Sequence, residues 1–448
     1  MRRLFIYILA AVSYLNVQAQ NADKQWTLEE CITHAIENNI DLKRQALEHE
    51  NREVELSTSR NSWLPDLNAN ASQNFDFGRS PSKTGVIVDR NSANTSAGLY
   101  LSMPVFDGFK IANDIAMRKL NLEAATESLN KAKEDLAIGV ASYFLQVLYS
   151  KEVFSVAELQ VELTSRQVNR TEELVNSGRV PLSQLYDIKA QLAKDEATLT
   201  DARNNMNLAL LDLAQSLELE RENIQFDITA PEVDDAVAEY LSSIVPPENI
   251  YNSAVIVKPQ IKTQELLLES QKKQLKIAQS GYYPKLNLSA SYNNGYYYYS
   301  GGDNLDNVGF RDQLKQNERK TVGFSLSVPI FNRFQVRNSV RSARIGILNQ
   351  ELMVENSKKA LFKEIQQAYY NATASQEQYI SSGKSVEASA EAFKYAEERY
   401  DTGRSSVFEY NEAKTKYAQS LSQQVQAKYN FIFRAKILDF YNGMPISL

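Results

Sequence analysis

The sequence predicts an α+β membrane protein in which long coiled-coil helices join four β-strands per chain, with the whole layout written twice. Three observations carry this reading. The stretch WLPDLNANASQNFDF, Trp63 to Phe77, alternates along its length. Leu67, Ala69, Ala71, Phe75 and Phe77 share one side, broken only by Gln73, and Asp66, Asn68, Asn70, Ser72, Asn74 and Asp76 share the other. A period of two marks a strand with one apolar face. Asp107 to Ser177 and Asn332 to Asp401 contain no proline and two glycines each, which allows uninterrupted helix. Finally, three blocks of the first half recur in the second half in the same order.

The first residues, MRRLFIYILAAVSYLNVQAQ, set Arg2 and Arg3 ahead of an apolar run from Leu4 to Val12 and end on small residues. This is the pattern of an export signal, residues 1–19, cleaved near Ala19. The single cysteine, Cys31, excludes an internal disulfide. It follows Thr27, Leu28, Glu29 and Glu30 rather than the small residues that precede a lipid-modified cysteine, so no lipid anchor is expected. It reads as a small buried residue of the first helix. That helix begins at WTLEECITHAIENNIDLKRQ, where Thr27 and Glu30 form a capping box. After residue 20 no stretch approaches the roughly 18 apolar residues of a membrane-spanning helix. A net charge of -6 without a basic cluster argues against a nucleic-acid partner, and 43% hydrophobic residues exclude a disordered chain.

The other three strands alternate as the first does. Ala97, Leu99, Leu101, Met103 and Val105 share a face, as do Leu286, Leu288, Ala290 and Tyr292, and Val322, Phe324, Leu326, Val328 and Ile330. A soluble half-buried sheet would alternate in the same way. Opposite faces that are small and uncharged over most of their length, and tyrosines at the strand ends (Tyr282, Tyr283, Tyr296 to Tyr299), favour a wet barrel lumen and a lipid interface. Four strands cannot close a membrane barrel, because an open edge in lipid leaves backbone groups unpaired. Several chains must then share one barrel, and three chains supply twelve strands.

The repeat sets the domain organisation. SWLPDLNANAS recurs as GYYPKLNLSAS, aligning Pro65 with Pro284 at an offset of 219. AGLYLSMPVFDGFKIAN recurs as VGFSLSVPIFNRFQVRN, aligning Pro104 with Pro329 and Phe106 with Phe331 at an offset of 225. EELVNSGRVPLSQLYDIKAQLA recurs as EERYDTGRSSVFEYNEAKTKYA at 225, aligning Gly178-Arg179 with Gly403-Arg404 and Lys189 with Lys414. A duplicated large unit follows. The first repeat is 20–228, with strands 63–78 and 95–106 and a helical-hairpin tip at 178. A linker runs over 229–247. The second repeat is 248–448, with strands 283–299 and 320–331 and a tip at 403. Pro65 and Pro284 start strands; Pro104, Phe106, Pro329 and Phe331 mark strand-to-helix turns; and each tip glycine stands where a helix C-cap belongs. The second copy is six residues longer between its prolines, so the extra length is expected in a loop.

With both signatures duplicated, LSMPVFDGFK with LSVPIFNRFQ and VNSGRVPLSQLYDIKAQLA with YDTGRSSVFEYNEAKTKYA, the chain resembles the TolC family of outer-membrane efflux ducts over almost its whole mature length. The opening WTLEECITHAIENN is similar to the family's first helix. The resemblance implies a homotrimer with a shared 12-stranded barrel in the outer membrane and an α-helical coiled-coil barrel in the periplasm. It implies a passive exit duct for efflux or type I secretion. Its mouth would be opened by a periplasmic adaptor and an inner-membrane pump, docking at Gly178, Arg179, Gly403 and Arg404. Glu409 and Glu412 stand six and nine residues past the second tip glycine, where the family often carries acids. Gln184 and Asp187 match them in the first copy. Rings of Glu409, Glu412 and Asp187 at the aperture would bind polyvalent cations. A solvated face of a charged helix would carry the same residues. Arg404 is a candidate for inter-helix pairs that hold the mouth shut, and residues 79–94 and 300–319 are expected as extracellular loops.

His34 and His49 lie fifteen apart on the first helix, and no Cys/His cluster or glycine-rich phosphate loop occurs, so no metal, cofactor or enzymatic activity is expected. The alternative is a non-pore structural coiled-coil protein of the envelope. The four alternating strands argue against it.

Overall fold

The computed structural model describes residues 25–81, 85–219, 226–229, 245–300, 307–444 and 446. The expected export signal and most of the expected 229–247 linker lie outside the described residues. In chain order the elements are β1 (Gln25–Trp26), α1 (Leu28–Asn38), α2 (Ile40–Asn61), β2 (Asp66–Asp76), β3 (Arg79–Pro81), β4 (Ile87–Asp89) and β5 (Asn91–Phe106). Then come α3 (Lys110–Asn176), α4 (Leu182–Ser216), β6 (Asp227–Ile228), α5 (Pro247–Val257), α6 (Pro259–Gln279), β7 (Lys285–Ser300), α7 (Phe310–Gln316) and β8 (Arg319–Ser327). The chain ends with α8 (Gln335–Asp401) and α9 (Val407–Tyr441). The long helices come in matched lengths: α3 and α8 have 67 residues each, and α4 and α9 have 35 each. Sixty-seven residues make about 100 Å of helix. The chain divides into two compact units.

One unit comprises residues 48–126 and 263–354. Its centre is an antiparallel sheet of order β2-β5-β7-β8. The register lines up the apolar positions: Leu67, Leu101, Ala290 and Val322 stand in one row across the four strands. The neighbouring row, Asp66, Ser102, Ser289 and Gly323, points to the opposite face because strand side chains alternate. Phe77, Val322, Phe324 and Leu326 are all exposed, as is every residue of β2. The outer edges of β2 and β8 pair with no strand among the described residues. Helix ends in this unit are tied by polar contacts, among them Arg118 to Glu55 at 2.8 Å, the Ser59 hydroxyl to Asp114 at 2.7 Å and the Ser270 hydroxyl to Asn121 at 2.6 Å.

Several strand limits differ from the expected ones. The first strand starts at Asp66 rather than 63, because Leu64 N–H closes a turn onto Asn61 and Pro65 has no N–H to give. β5 begins at Asn91, which shortens the expected loop 79–94. β8 stops at Ser327 rather than 331, because Ser327 pairs with Lys285, the first residue of β7, and nothing lies beyond to pair with. The expected loop 300–319 contains α7. That helix is too short to leave a periodic signal, and it is held by Gln313, whose amide exchanges two hydrogen bonds of 2.8 and 2.9 Å with the Tyr297 backbone.

The turn from β5 into α3 is Asp107-Gly108-Phe109. The Asp107 carboxylate accepts Ile111 N–H at 2.8 Å and caps the helix. Gly108 has φ +72, and a Cβ there would sit 2.7 Å from the Ser280 carbonyl oxygen and 2.8 Å from Tyr283 Cβ. Gly403, at φ +71, has no atom within 4 Å of a built Cβ. Gly403→Ala is therefore expected to lose only the left-handed backbone term, about 1–2 kcal/mol. Gly108→Ala adds a clash with the Ser280 backbone and one with the Tyr283 Cβ, and should lose clearly more. Thermal unfolding of both variants measures the difference, and equal losses would contradict it.

The other unit comprises the described residues of Met1–Leu47, Glu127–Lys262 and Glu355–Leu448. Thr27 and Glu30 close the capping box of α1. β1 and β6 form a short parallel pair. The main core joins Leu28, Cys31 and Ala35 of α1 to Phe144 and Leu148 of α3, Leu213 of α4 and Phe431 of α9. A second core joins Ile250 and Ile261 to Leu361, Ile365 and Leu438. The second core is built of medium-sized aliphatic side chains, whereas the main core also buries Phe144 and Phe431.

Candidate functional site at the helix turns

The two turns that join α3 to α4 and α8 to α9 have the same backbone. Gly178 and Gly403 are both at φ +71. Gly178 N–H bonds to Val175 O at 2.9 Å and Arg179 N–H to Leu174 O at 2.9 Å; Gly403 N–H bonds to Tyr400 O at 3.0 Å and Arg404 N–H to Arg399 O at 2.8 Å. These two bonds define a Schellman cap, which puts glycine in the left-handed position and the following arginine just outside it. Arg179 and Arg404 are exposed.

The helices that leave the turns start differently. Pro181 stands before α4 with no side-chain cap, while Ser406 caps α9 by accepting Glu409 N–H at 3.3 Å. The Glu409 carboxylate accepts the Ser405 hydroxyl and lies 3.8 Å from Arg399. The Ser405 hydroxyl first, then a backbone hydrogen bond from Ser406 and the Arg399 charge, hold its carboxyl below the usual range. Glu412 lies three residues further along α9 and is exposed, as is Asp187 on α4. Among the described residues no group of three or more His, Cys, Asp or Glu side chains could hold a metal ion. Arg404 makes no ion pair among the described residues. The cations that reach between helices here are Arg399, Lys189 of α4, 3.7 Å from Glu172 of α3, and Arg170 of α3, paired with Asp401 at the end of α8.

Behind the turns lies a buried polar group that the sequence reading passed over. Lys414 of α9 is 1% exposed. Its ammonium donates to Asp195 of α4 at 2.7 Å and to the Thr164 hydroxyl of α3. Thr164 in turn donates to Asp195 at 2.5 Å, and Gln191 donates to the other Asp195 oxygen at 2.7 Å. A signal was present. Val407, Tyr410, Lys414 and Ala418 recur at helical spacing, so Lys414 stands in the buried phase of α9, where a charge calls for a partner.

The proline and aromatic markers fall at the strand ends. Pro65 and Pro284 immediately precede β2 and β7. Pro104 and Phe106 lie inside β5, where the register slips between them, so the turn proper comes later than expected. Pro104 has no N–H for the ladder, which produces a bulge rather than an end. Pro329 and Phe331 lie past the end of β8. Phe106 packs edge-on to Phe109 at 5.2 Å, and Phe331 to Phe334 at 5.6 Å, so the same ring pair stands at both strand-to-helix junctions. His34 packs edge-on to Trp26 at 5.1 Å, and a ring nitrogen of His49 lies 3.0 Å from the Thr126 hydroxyl. Burial first, and the Glu30 charge second, push the Cys31 thiol up to about 12. Maleimide at pH 8 is expected to leave Cys31 unlabelled in the folded protein and to label it fully after denaturation. Rapid labelling of the native protein would contradict its burial.

Helical hairpins of this length are joined to a sheet that is apolar on one face and, among the described residues, unpaired on both edges. The sequence profile described as outer membrane efflux protein matches residues 31–218 and again 250–437. The chain belongs to this family, the TolC family of outer-membrane efflux proteins. Outer membrane protein TolC of Escherichia coli (strain K12) is 23% identical over 405 residues, covering 88% of this chain and 77% of the relative. Among solved structures, CusC superposes with a TM-score of 0.76 at 15% identity, covering 94% of this chain and 93% of the other. The Campylobacter jejuni CmeC outer membrane channel superposes with a TM-score of 0.75 at 19% identity, covering 93% and 86%. The fold is therefore that of the outer-membrane channels, a family of ducts rather than enzymes, and the outer membrane is its location.

Proposed function

We propose that this chain is the outer-membrane exit duct of a tripartite efflux or type I secretion system, a passive channel of three identical copies. The observation that carries this is the sheet β2-β5-β7-β8, with exposed apolar residues and two edges that are unpaired among the described residues. Neither edge can face lipid alone. Joining β8 of one copy to β2 of the next closes twelve strands without a free edge. The equal lengths of the two long helix pairs, with the 225-residue offset of the sequence blocks, support an internal duplication with repeats at 20–228 and 248–448. Six such helix pairs would form the periplasmic tunnel.

On this reading the two Schellman turns are the tunnel mouth. Gly178, Arg179, Gly403 and Arg404 meet the adaptor, Glu409 and Glu412 ring the aperture with Asp187 nearby, and the connections from β2 to β5 and from β7 to β8 face outward. Opening is driven by the adaptor and the inner-membrane pump, and the duct supplies no chemistry of its own. The test is the mass of the detergent-solubilised particle together with its conductance in a planar bilayer. Three chains and discrete conductance steps are expected. A single chain with no conductance, in the wild type and in a Gly403-loosened variant alike, would overturn the proposal.

A further inference from the structure

The two copies of the repeat differ in charge at the foot of the sheet. Residues 271–295 and 321–350, around the starts of β7 and α8, carry eight Lys or Arg and no Asp or Glu. The matching stretches of the first copy, 52–76 and 96–125, carry five Lys or Arg and seven Asp or Glu. The chain as a whole has more acids than bases, 55 against 49. The basic excess is therefore local, and it belongs to one copy.

Three of these cations share a groove. Arg337, Arg341 and Arg344 of α8 line an open groove of about 730 Å³ with Gln279, Tyr282 and Tyr283, where the chain leaves α6. Steps of four and three residues put the arginines on one face of the helix, over about 10 Å. All three are exposed, and none makes an ion pair among the described residues. In the first copy the same positions hold Ala112, Ala116 and Lys119, and Lys119 is paired with Glu123 at 3.7 Å. Its neighbour Arg118 is paired with Glu55 at 2.8 Å. The fold builds the same stretch of helix there without free guanidinium groups, so packing does not account for them.

A run of rings joins the groove to the apolar face of the sheet. Leu286 stands in the apolar row of β7 and pairs with Phe106 across the ladder. Phe106 packs edge-on to Phe109 at 5.2 Å, and Phe109 edge-on to Tyr283 at 6.2 Å. Tyr283 is a wall of the groove. Phe334 is 56% exposed and lies 5.7 Å from the Arg337 guanidinium. Exposed apolar surface, then tyrosines, then cations is the order of groups that suits the passage from hydrocarbon into a charged headgroup layer. A guanidinium holds phosphate oxygens through paired hydrogen bonds, which suits arginine rather than lysine to such a site.

We propose that this groove binds the phosphate of an anionic phospholipid headgroup in the leaflet beside the strand feet, with Arg337, Arg341 and Arg344 on the phosphate oxygens and Tyr282 and Tyr283 against the glycerol. This rests on the reading that the sheet crosses the outer membrane, and it adds to that reading a ligand and its site. The first copy lacks the cations, so one such lipid is expected per chain.

The experiment takes the full chain from outer-membrane fractions into non-ionic detergent, as wild type and as the triple variant Arg337→Gln, Arg341→Gln, Arg344→Gln. Phosphatidylglycerol or phosphatidylcholine is added, and native mass spectrometry counts the lipids retained by each particle. The wild type should prefer phosphatidylglycerol by about tenfold or more, at one lipid per chain, and the triple variant should show no preference. Arg341→Ala, which brings in the first copy's residue, should fold as the wild type does and lower the preference at least about twofold. Lys363→Gln with Lys384→Gln and Lys394→Gln removes the same charge from exposed positions elsewhere on α8 and should leave the preference intact. Equal loss in this control, or no loss in either arginine variant, would overturn the site while the outer-membrane fractionation leaves the duct standing. Inorganic phosphate at the lipid's concentration should not displace it; displacement would assign the groove to the free anion and overturn the lipid. A chain recovered in the soluble fraction without detergent would overturn the membrane reading and the site with it.

Discussion

Asp195→Ala is expected to cost about 3–5 kcal/mol, because it strands the Lys414 ammonium in a site that is 1% exposed. Asp195 takes three donors: Lys414, Thr164 and, on its second oxygen, Gln191. Removing it leaves a buried cation with a hydroxyl as its remaining ligand, and water cannot take the carboxylate's place in a seam of three packed helices. The companion variant separates the charge from the packing. Asp195→Leu with Lys414→Met replaces both partners by apolar side chains of similar reach and should recover most of the loss. Chemical denaturation of both variants, followed by helical circular dichroism, reads the two free energies. If the single variant costs no more than about 1 kcal/mol, the value of an exposed pair, the group is wetter than its burial implies.

Glu409→Gln with Glu412→Gln is expected to abolish block of the channel by a trivalent cation added at the periplasmic side, weakening cation affinity on the order of tenfold or more. In the proposed three-chain duct this would remove six carboxylates from one aperture. Either single variant should keep part of the block. The pH dependence has a definite sign. Hydrogen bonds from Ser405 and Ser406, with Arg399 close by, favour the charged form of Glu409 and lower its pKa. The carboxylate is ionised above that lowered value, so block should persist at pH 4.5, where an ordinary glutamate is half protonated, and fade as the pH falls further. Single-channel current titrated with the cation at several pH values measures this. Block that is unchanged in the double variant would move the cation site away from α9.

Much of the architecture could be read from residues alone. The alternation of Leu67 to Phe77 belongs to a strand because side-chain direction in an extended chain depends only on the parity of the position. The seventy-residue spans free of proline belong to helices because propensity and i to i+4 hydrogen bonding are local. Gly178 and Gly403 were legible as helix ends because a left-handed residue is a local requirement too. Strand limits were less legible, since Ser327 ends β8 only because Lys285, far away in sequence, is where its partner begins. The bulge at Pro104 and the short helix α7 were hidden for a similar reason. Each depends on what lies across the sheet, as Gln313 shows by binding the Tyr297 backbone.

The turn glycines and the acids beyond them were named from their spacing, but their neighbours were not. Arg399 stands beside Glu409 because the tip turn folds α9 back along α8, and Arg170 reaches Asp401 because α3 and α8, remote in sequence, lie side by side. Lys414, Thr164 and Asp195 come from three different helices, and no one of those helices marks the others. By itself the sequence determined the period of the long segments, the glycine turns where the long helices stop and the repeat that copies them, all consequences of short-range sterics and hydrogen bonding, but not the break at Asn39 that puts His34 on α1 and His49 on α2. Only the tertiary structure decided which charges are buried together and which sheet edges are left open, because both follow from packing between segments whose separation along the chain carries no energetic record of their contact.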